Sequence, residues 1–414
     1  MDNLNEMTIG EFTGVFNYLL DNNKRLQEEG QTPIAIGIEG QAGIGKTSVV
    51  EQMAGERGMT FCKINLSQLE EVGDLTGFPQ KEILLTWKGK DGGMKTKWWP
   101  ESLLSKVPQN VVVTNTVRMG YAPPAWLPKE ENPNGCILLI DDYTRANPLF
   151  LQATMELINT ASYISWSLPS NTTIVLTSNP DDGSYSVTAL DSAQKTRYIN
   201  FNLKLNIEDW ARWAEFSGVD SRAINFCLMY GHEIFKKRNN VQTINPRAYT
   251  TFCRAISGLR DWENDNSLAL ILNISKGCFL DDKDSVVGTL FTNFITQKLD
   301  RLVSPKDMLL QAWETVEPKI FDCTHDFDGV DYGFRPEIAS ILSMRLLNYM
   351  LFYFSQKGAK ENVVQDRLLD IIDNKRKLFS DDLLFHIIKT VMAKYPARTG
   401  KLLLNPKIRN KVIV

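Results

Sequence analysis

The apolar run Pro33-Ile34-Ala35-Ile36-Gly37-Ile38 leads within two residues into Gly40-Gln41-Ala42-Gly43-Ile44-Gly45-Lys46-Thr47, and the chain continues as Ser48-Val49-Val50-Glu51-Gln52-Met53. A buried strand, a glycine-rich turn and a helix in that order form a phosphate-binding loop. The glycines let successive backbone N–H groups turn inward on an anion, and the following helix offers its positive N-terminal end to the same charge. Gly40 to Ser48 are therefore the expected nucleotide cradle. Lys46 is placed to reach the β- and γ-phosphates, and the Thr47 hydroxyl to ligate Mg²⁺.

The rest of the sequence narrows what surrounds that loop. Its 414 residues suffice for two or three domains with sizeable cores, and 43% hydrophobic with 23% charged residues is ordinary for a globular chain. A net charge of −3 gives no global pull toward nucleic acid or an anionic membrane. The start, Met1-Asp2-Asn3-Leu4-Asn5-Glu6, lacks the basic and apolar regions of a signal peptide, and no uninterrupted apolar stretch approaches spanning length. The expectation is a cytoplasmic protein with no membrane partner. Six cysteines, Cys62, Cys136, Cys227, Cys253, Cys278 and Cys323, make no CxxC pair and read as reduced, packed thiols. The group Cys323, His325, Asp326 and Asp328 fits no standard metal spacing and reads as a loop.

Along the chain, Thr8 and Glu11 form a capping box, and Phe12, Val15, Phe16 and Leu19 recur at helical spacing, which predicts an amphipathic helix to about Gly30. Strand-like runs follow at 33–38, 59–65, 136–140, 172–177 and 198–201. Near-continuous apolar strands separated by helices imply a parallel sheet covered on both faces, an α/β fold. Beyond about residue 204 helical periodicity dominates to the C-terminus.

The third run, Ile137-Leu138-Leu139-Ile140, ends in Asp141-Asp142. An acid at the end of a buried strand can hold Mg²⁺, and a second beside it can orient an attacking water. Asp141 suits the first role and Asp142 the second.

With both motifs in place the chain resembles the AAA+ ATPases, within them the MoxR-like and dynein-related, midasin-like branch. Ile36-Gly37-Ile38-Glu39 is similar to that family's first strand, Asp74-Leu75-Thr76-Gly77-Phe78-Pro79 to its D-L-x-G-x-P element, and Asp141 to Pro148 to its D-E-I-N-R-A-x-P segment. Tyr163 to Asn171 looks like the short hairpin before the fourth strand, and Thr177-Ser178-Asn179-Pro180 like the sensor 1 turn. Tyr185-Ser186-Val187, Leu190-Asp191-Ser192-Ala193 and Arg197-Tyr198 follow Y-x-V-x-x-L-D-x-A-x-x-x-R-F, and Asn245-Pro246-Arg247-Ala248 looks like the sensor 2 helix start. The resemblance spans roughly residues 10 to 300, with its motifs in the family's order. Two positions depart from it: Asp142 stands where the family has glutamate, and Thr144 where it has asparagine.

What the resemblance implies is a P-loop AAA+ core with a five-stranded parallel sheet in the order 5-1-4-3-2, an all-α lid and a C-terminal helical region. The implied domains are 1–203 with an insertion at about 81–130, 204–300 and 301–414. Asn179 is then expected to contact the γ-phosphate or water, Arg197 to complete a neighbour's site as an arginine finger, and Arg247 to reach the nucleotide from the lid. The implied cofactors are ATP and Mg²⁺. The implied activity is ATP hydrolysis by a homo-oligomer, a hexameric ring, that remodels a protein substrate or works through an adaptor. A nucleic-acid motor or restriction-type NTPase is the alternative, and a slow nucleotide-gated assembly switch is a third. The insertion sets Trp87, Trp98 and Trp99 among Lys81, Lys88, Lys90, Lys95 and Lys97, a composition that either grips a ligand or covers a small core. Tyr121 to Pro128, stiffened by three prolines, reads as structural.

Overall fold

The computed structural model describes residues 6–90, 92–128, 131–181, 185–235, 237–238, 241–242, 244–279, 286–296, 302–327, 332–356, 358–399, 406 and 408–409. The chain divides into two compact units, Met1–Leu205 and Asn206–Val414.

In the first unit, β1 (Glu6–Met7) leads into α1 (Ile9–Glu28), whose capping box forms as the sequence requires: the Glu11 N–H donates to Thr8 Oγ1 at 3.2 Å and the Thr8 N–H to Glu11 Oε2 at 2.8 Å. Then come β2 (Ala35–Gly40), α2 (Lys46–Glu56), β3 (Thr60–Asn65), α3 (Val72–Thr76), β4 (Phe78–Lys88), β5 (Met94–Pro100) and β6 (Val112–Ala122). They are followed by β7 (Cys136–Asp141), α4 (Pro148–Thr160), β8 (Ser162–Tyr163), β9 (Trp166–Ser167), β10 (Thr172–Ser178), α5 (Ser192–Lys195) and β11 (Tyr198–Leu203).

The main sheet runs β1-β11-β2-β10-β7-β3 with every neighbouring pair parallel. The five expected strands are present, and the count and full order differ by β1, which pairs with β11 at one edge. Two residues carry too little periodicity to announce a strand, so this one was not foreseen. Alternation sends Ile137, Leu139, Val175, Ile36 and Ile38 to a core shared with α1 and α2, while Leu138, Ile140, Ile174 and Leu176 join Phe150, Leu151 and Leu157 of α4 on the opposite face. Helices therefore cover both faces, and the ends of β2, β7 and β10 are fixed between two packed layers.

Residues 78–122 build a second sheet, β5-β4-β6, antiparallel throughout. It begins three residues before the expected insertion and ends at Ala122, so Tyr121 belongs to β6. The base of this sheet is pinched at Gly77, whose φ of +89° and distance of 1.9 Å from a built Cβ to the Ala122 carbonyl oxygen leave room for glycine alone. Trp126 donates from Nε1 to the Asp74 carbonyl at 3.0 Å and Trp166 to the Thr76 carbonyl at 2.9 Å, which bears out the structural reading of the proline-rich run.

The second unit contains α6 (Ile207–Phe216), α7 (Ser221–Ile234), the hairpin β12 (Lys237–Arg238) and β13 (Val241–Gln242), α8 (Pro246–Ile256), α9 (Asp265–Cys278), α10 (Val286–Thr296), α11 (Pro305–Leu310), α12 (Trp313–Thr324), the hairpin β14 (His325–Phe327) and β15 (Tyr332–Phe334), α13 (Pro336–Ser355), α14 (Glu361–Asp373), α15 (Asp381–Lys394) and α16 (Pro396–Thr399). Phe226, Tyr249, Phe252, Phe291 and Phe294 interlock at stacked, edge-on and tilted angles in one core. Leu342, Leu346, Met350 and Phe354 of α13 centre the other. At 20 residues α13 is long and apolar enough to cross a membrane by length and composition, but Glu337 and Arg345 interrupt it and 67% of its apolar window is buried within the unit, as in a core helix.

All six cysteines are free thiols, and burial pushes Cys136 up to about 11 and Cys253 up to about 12. Among the described residues no cluster of His, Cys, Asp and Glu is arranged to hold a metal; of the group considered from sequence, Asp328 and the Asp326 side chain lie outside them.

Candidate functional site

The glycine-rich turn joins the end of β2 to the first residue of α2. Gly43 and Gly45 hold φ of +80° and +106°, backbone that other residues adopt only at a cost. A Cβ on Gly40 would lie 2.7 Å from both the Leu203 carbonyl oxygen and Ile44 Cδ1. Gly45 caps α2 with no side-chain hydrogen bond of its own. Ala42 N–H donates to the Tyr185 hydroxyl at 3.1 Å.

Lys46 is buried. Its ammonium donates to the carbonyl oxygens of Gly40 at 2.6 Å and Gln41 at 2.9 Å, and to Asn179 Oδ1 at 3.0 Å. Asn179 in turn donates from Nδ2 to Asp142 Oδ1 at 3.2 Å. One residue on, the Thr47 hydroxyl donates to Asp141 Oδ1 at 2.7 Å, and that oxygen accepts a second bond, also 2.7 Å, from Thr177. The Thr177 hydroxyl oxygen also accepts the Asp142 N–H at 3.0 Å. Asp142 sits in the left-handed region at φ +52°, turning the chain off β7.

The structure thus brings Lys46, Thr47, Asp141, Asp142 and Asn179 into one hydrogen-bonded network at the ends of β2, β7 and β10. Arg197 stands elsewhere in the unit, between α5 and β11. Its guanidinium donates to the Ala193 carbonyl, and its Nε has no hydrogen-bond partner among the described residues. Arg247 is exposed in the first turn of α8, in the second unit. Ser48 lies in the first turn of α2, beside Thr47.

Three participants carried little sequence signal. Thr177 was only part of a turn motif, although a hydroxyl at the end of a strand adjoining β7 is placed to reach Asp141. Lys63 lies 3.5 Å from Asp141 Oδ2, and its one cue was a lysine inside an otherwise strand-like run. The Tyr185 hydroxyl meets the loop from the head of the Tyr185-Ser186-Val187 motif, to which the sequence attached no role at the site.

Chemically, the cradle fits a polyphosphate. It offers the N-terminus of α2, a buried ammonium and a turn too tight for side chains. Thr47 and Asp141 form a hard-oxygen pair of the type Mg²⁺ prefers. The residues present therefore fit both groups.

No protein-family model and no curated protein matches this sequence. Among solved structures, similarity is found to the Holliday junction branch migration motor RuvB of Thermotoga maritima, at 14% identity and a TM-score of 0.34 over 76% of this chain and 79% of that one. Two mutants of the same RuvB match at 13% identity, one with a TM-score of 0.36 over 80% of this chain and 96% of that one, the other with 0.38 over 77% and 89%.

Proposed function

We infer that this chain is a Mg²⁺-dependent ATPase of the AAA+ type, in its MoxR-like branch, working as a homo-oligomeric ring that remodels a protein partner. The observation that carries the reading is the 2.7 Å bond from the Thr47 hydroxyl to Asp141, which joins the phosphate loop to the acidic strand end where a metal-bound triphosphate needs both. The parallel sheet supports it by setting β2 and β7 either side of β10.

In this reading Lys46 binds the phosphates, and Thr47 and Asp141 hold the metal. Bound Mg-ATP supplies the phosphoryl group and its charge. Asp142 orients the attacking water and takes its proton, with Asn179 fixing the carboxylate. Arg197 of one protomer completes the site of the next; the support is that, among the described residues, the hydrogen bond recorded for its guanidinium goes to the uncharged Ala193 carbonyl. Residues 204–300 form the lid that carries Arg247, and 301–414 a C-terminal helical domain.

The test is the steady-state ATP hydrolysis rate per subunit over a wide range of protein concentration, with Lys46→Ala as the blank. A rate that climbs and saturates, absent in the blank, is expected. A rate equal to the blank would refute the hydrolase. A flat rate above it, from a protein shown to be monomeric at the lowest concentration, would remove Arg197 from its role between subunits. Steep stimulation by DNA that weakens with salt would replace the protein partner with a nucleic acid.

A further inference from the structure

The β5-β4-β6 sheet is basic in a chain whose balance is acidic. Residues 78–122 hold seven lysines and arginines against three acids, while the whole chain stands at −3. Two of those acids are already engaged, Glu82 by Arg118 at 2.8 Å and Glu101 by Lys81 at 2.5 Å.

The outer strand β6 pairs with β4 alone. Exposed edges are ordinarily blunted by lysine, proline or shortness. On β5 Lys95 and Lys97 serve that purpose, but β6 runs for 11 residues with Arg118 as its one charge. After the irregularity near Leu84, residues 117–122 hold an unbroken register against 78–83. Tyr121 turns its main chain away from β4, its N–H donating to Ser165 Oγ at 2.5 Å and its carbonyl accepting from the same hydroxyl at 3.3 Å. Antiparallel alternation turns the N–H and C=O of Met119 and Val117 the same way. Their side chains, 67% and 49% exposed, help line a groove of about 350 Å³ with Pro79, Gln80, Lys81 and Arg118.

We propose that the Val117–Met119 edge of β6 captures an extended acidic peptide segment of the protein partner, which adds as a further strand to a sheet whose lysines and arginine outnumber its acids by seven to three. Outward main-chain groups supply the pairing, and the groove selects alternate side chains. Single-stranded nucleic acid fits less well. Trp98 is covered by the Arg118 guanidinium, 4.5 Å from its ring centre, and Trp99 by Lys97 at 5.4 Å, so a base would have to displace a cation to stack.

The proposal rests on the protein-remodeller reading and can fail separately from it. The experiment titrates the full-length protein, without nucleotide, into a fluorescent peptide of about eight residues alternating glutamate and valine, and follows anisotropy. Saturable binding is expected, weakened at least about tenfold, or 1.4 kcal/mol, by Met119→Glu and by N-methylation of alternate amides in the peptide. The methylated peptide leaves the protein untouched and keeps the charge, so a loss reports strand pairing. No binding, binding indifferent to methylation, or preferential binding of oligo-dT of equal charge would each overturn the proposal. Hydrolysis measured on the same samples separates the failures: Lys46-dependent turnover without peptide binding sinks this proposal alone, and peptide binding without turnover sinks the ATPase alone.

Discussion

Lys46 and Asn179 meet at 3.0 Å, ammonium to amide oxygen, across the gap between the first turn of α2 and the end of β10. The other end of the Asn179 amide holds Asp142, so one side chain sets both the residue proposed to face phosphate and the residue proposed to orient water. Asn179→Ala should slow hydrolysis by about 10²-fold, the scale for losing one preorganised hydrogen-bonding group. Nucleotide affinity should change less than about tenfold, because Lys46 keeps the Gly40 and Gln41 carbonyls. Parallel titration with a fluorescent nucleotide and single-turnover hydrolysis would check this; equal losses in both would mean that Asn179 contributes only uniform binding.

Thr177 orients Asp141 without touching phosphate. Its hydroxyl donates to Asp141 and accepts from the Asp142 N–H. Thr177→Val keeps the shape and removes both bonds, leaving a buried N–H short of a partner at a cost of about 1–3 kcal/mol. If Asp141 holds the metal, half-saturation of hydrolysis by Mg²⁺ should rise by about 10- to 100-fold, as for other supports of metal ligands. A Mg²⁺ titration alongside a thermal melt separates the two effects, and an unmoved midpoint would take Asp141 away from the metal.

Much of this was legible in the residues. The phosphate loop and Asp141-Asp142 announced themselves because each lies at the end of a strand with unbroken apolar character, and the sheet around them followed from the same strands. Strand β1 was not legible, since its two residues are held by pairing with Asn202 and Leu203 rather than by a pattern of their own. The length of α13 was hidden by Arg345, a charge that breaks the apolar run in sequence but is fully buried in the fold. Lys63 and Tyr185 reach the site through tertiary placement, which no local spacing encodes.

Arg345 is a fully buried charge that joins three helices of the second unit. The guanidinium donates to Glu215 at 2.6 Å, Asn225 at 2.8 Å and Ser221 at 2.9 Å, tying α13 to α6 and α7. Arg345→Ala strands the Glu215 carboxylate, 9% exposed, and should destabilise the unit by about 3–5 kcal/mol. For a unit of this size that lowers Tm by roughly 6–20 °C. Adding Glu215→Leu to Arg345→Met should restore most of the loss, because an apolar pair of similar volume avoids the desolvation cost. Calorimetry on both variants decides it, and an Arg345→Ala protein that melts with the wild type would show the network to be idle.

Asp220 caps α7 by accepting the Arg222 N–H at 2.9 Å and is clasped by the Arg222 guanidinium at 2.8 and 3.0 Å. Burial raises its pKa, but the bonds and charge of Arg222 outweigh burial and hold it below the ordinary 3.8. A depressed folded pKa means stability fully present above 3.8 and lost as the pH falls through the lower folded value. Melting curves of wild type and Asp220→Asn from neutral pH to about 2.5 should therefore differ most near neutrality and converge below about 3.8. A constant gap across that window would mean that Asp220 acts by packing alone.

Asp142 decides between a working hydrolase and a nucleotide-gated switch. Its φ of +52° is one that asparagine also tolerates, and Asn179 donates to an oxygen that asparagine retains, so Asp142→Asn removes charge and basicity with little change of shape. If the carboxylate takes the water's proton, turnover should fall by about 10²- to 10⁴-fold, the usual contribution of a general base. Nucleotide affinity should hold, because the groups proposed to face phosphate are Lys46 and the N–H groups of the loop. The variant should then trap the nucleotide-bound assembly, visible as a larger species by light scattering with ATP. Unchanged turnover would remove Asp142 from the chemistry. Unchanged function with turnover near the Lys46→Ala blank in both proteins would assign the chain to the switch.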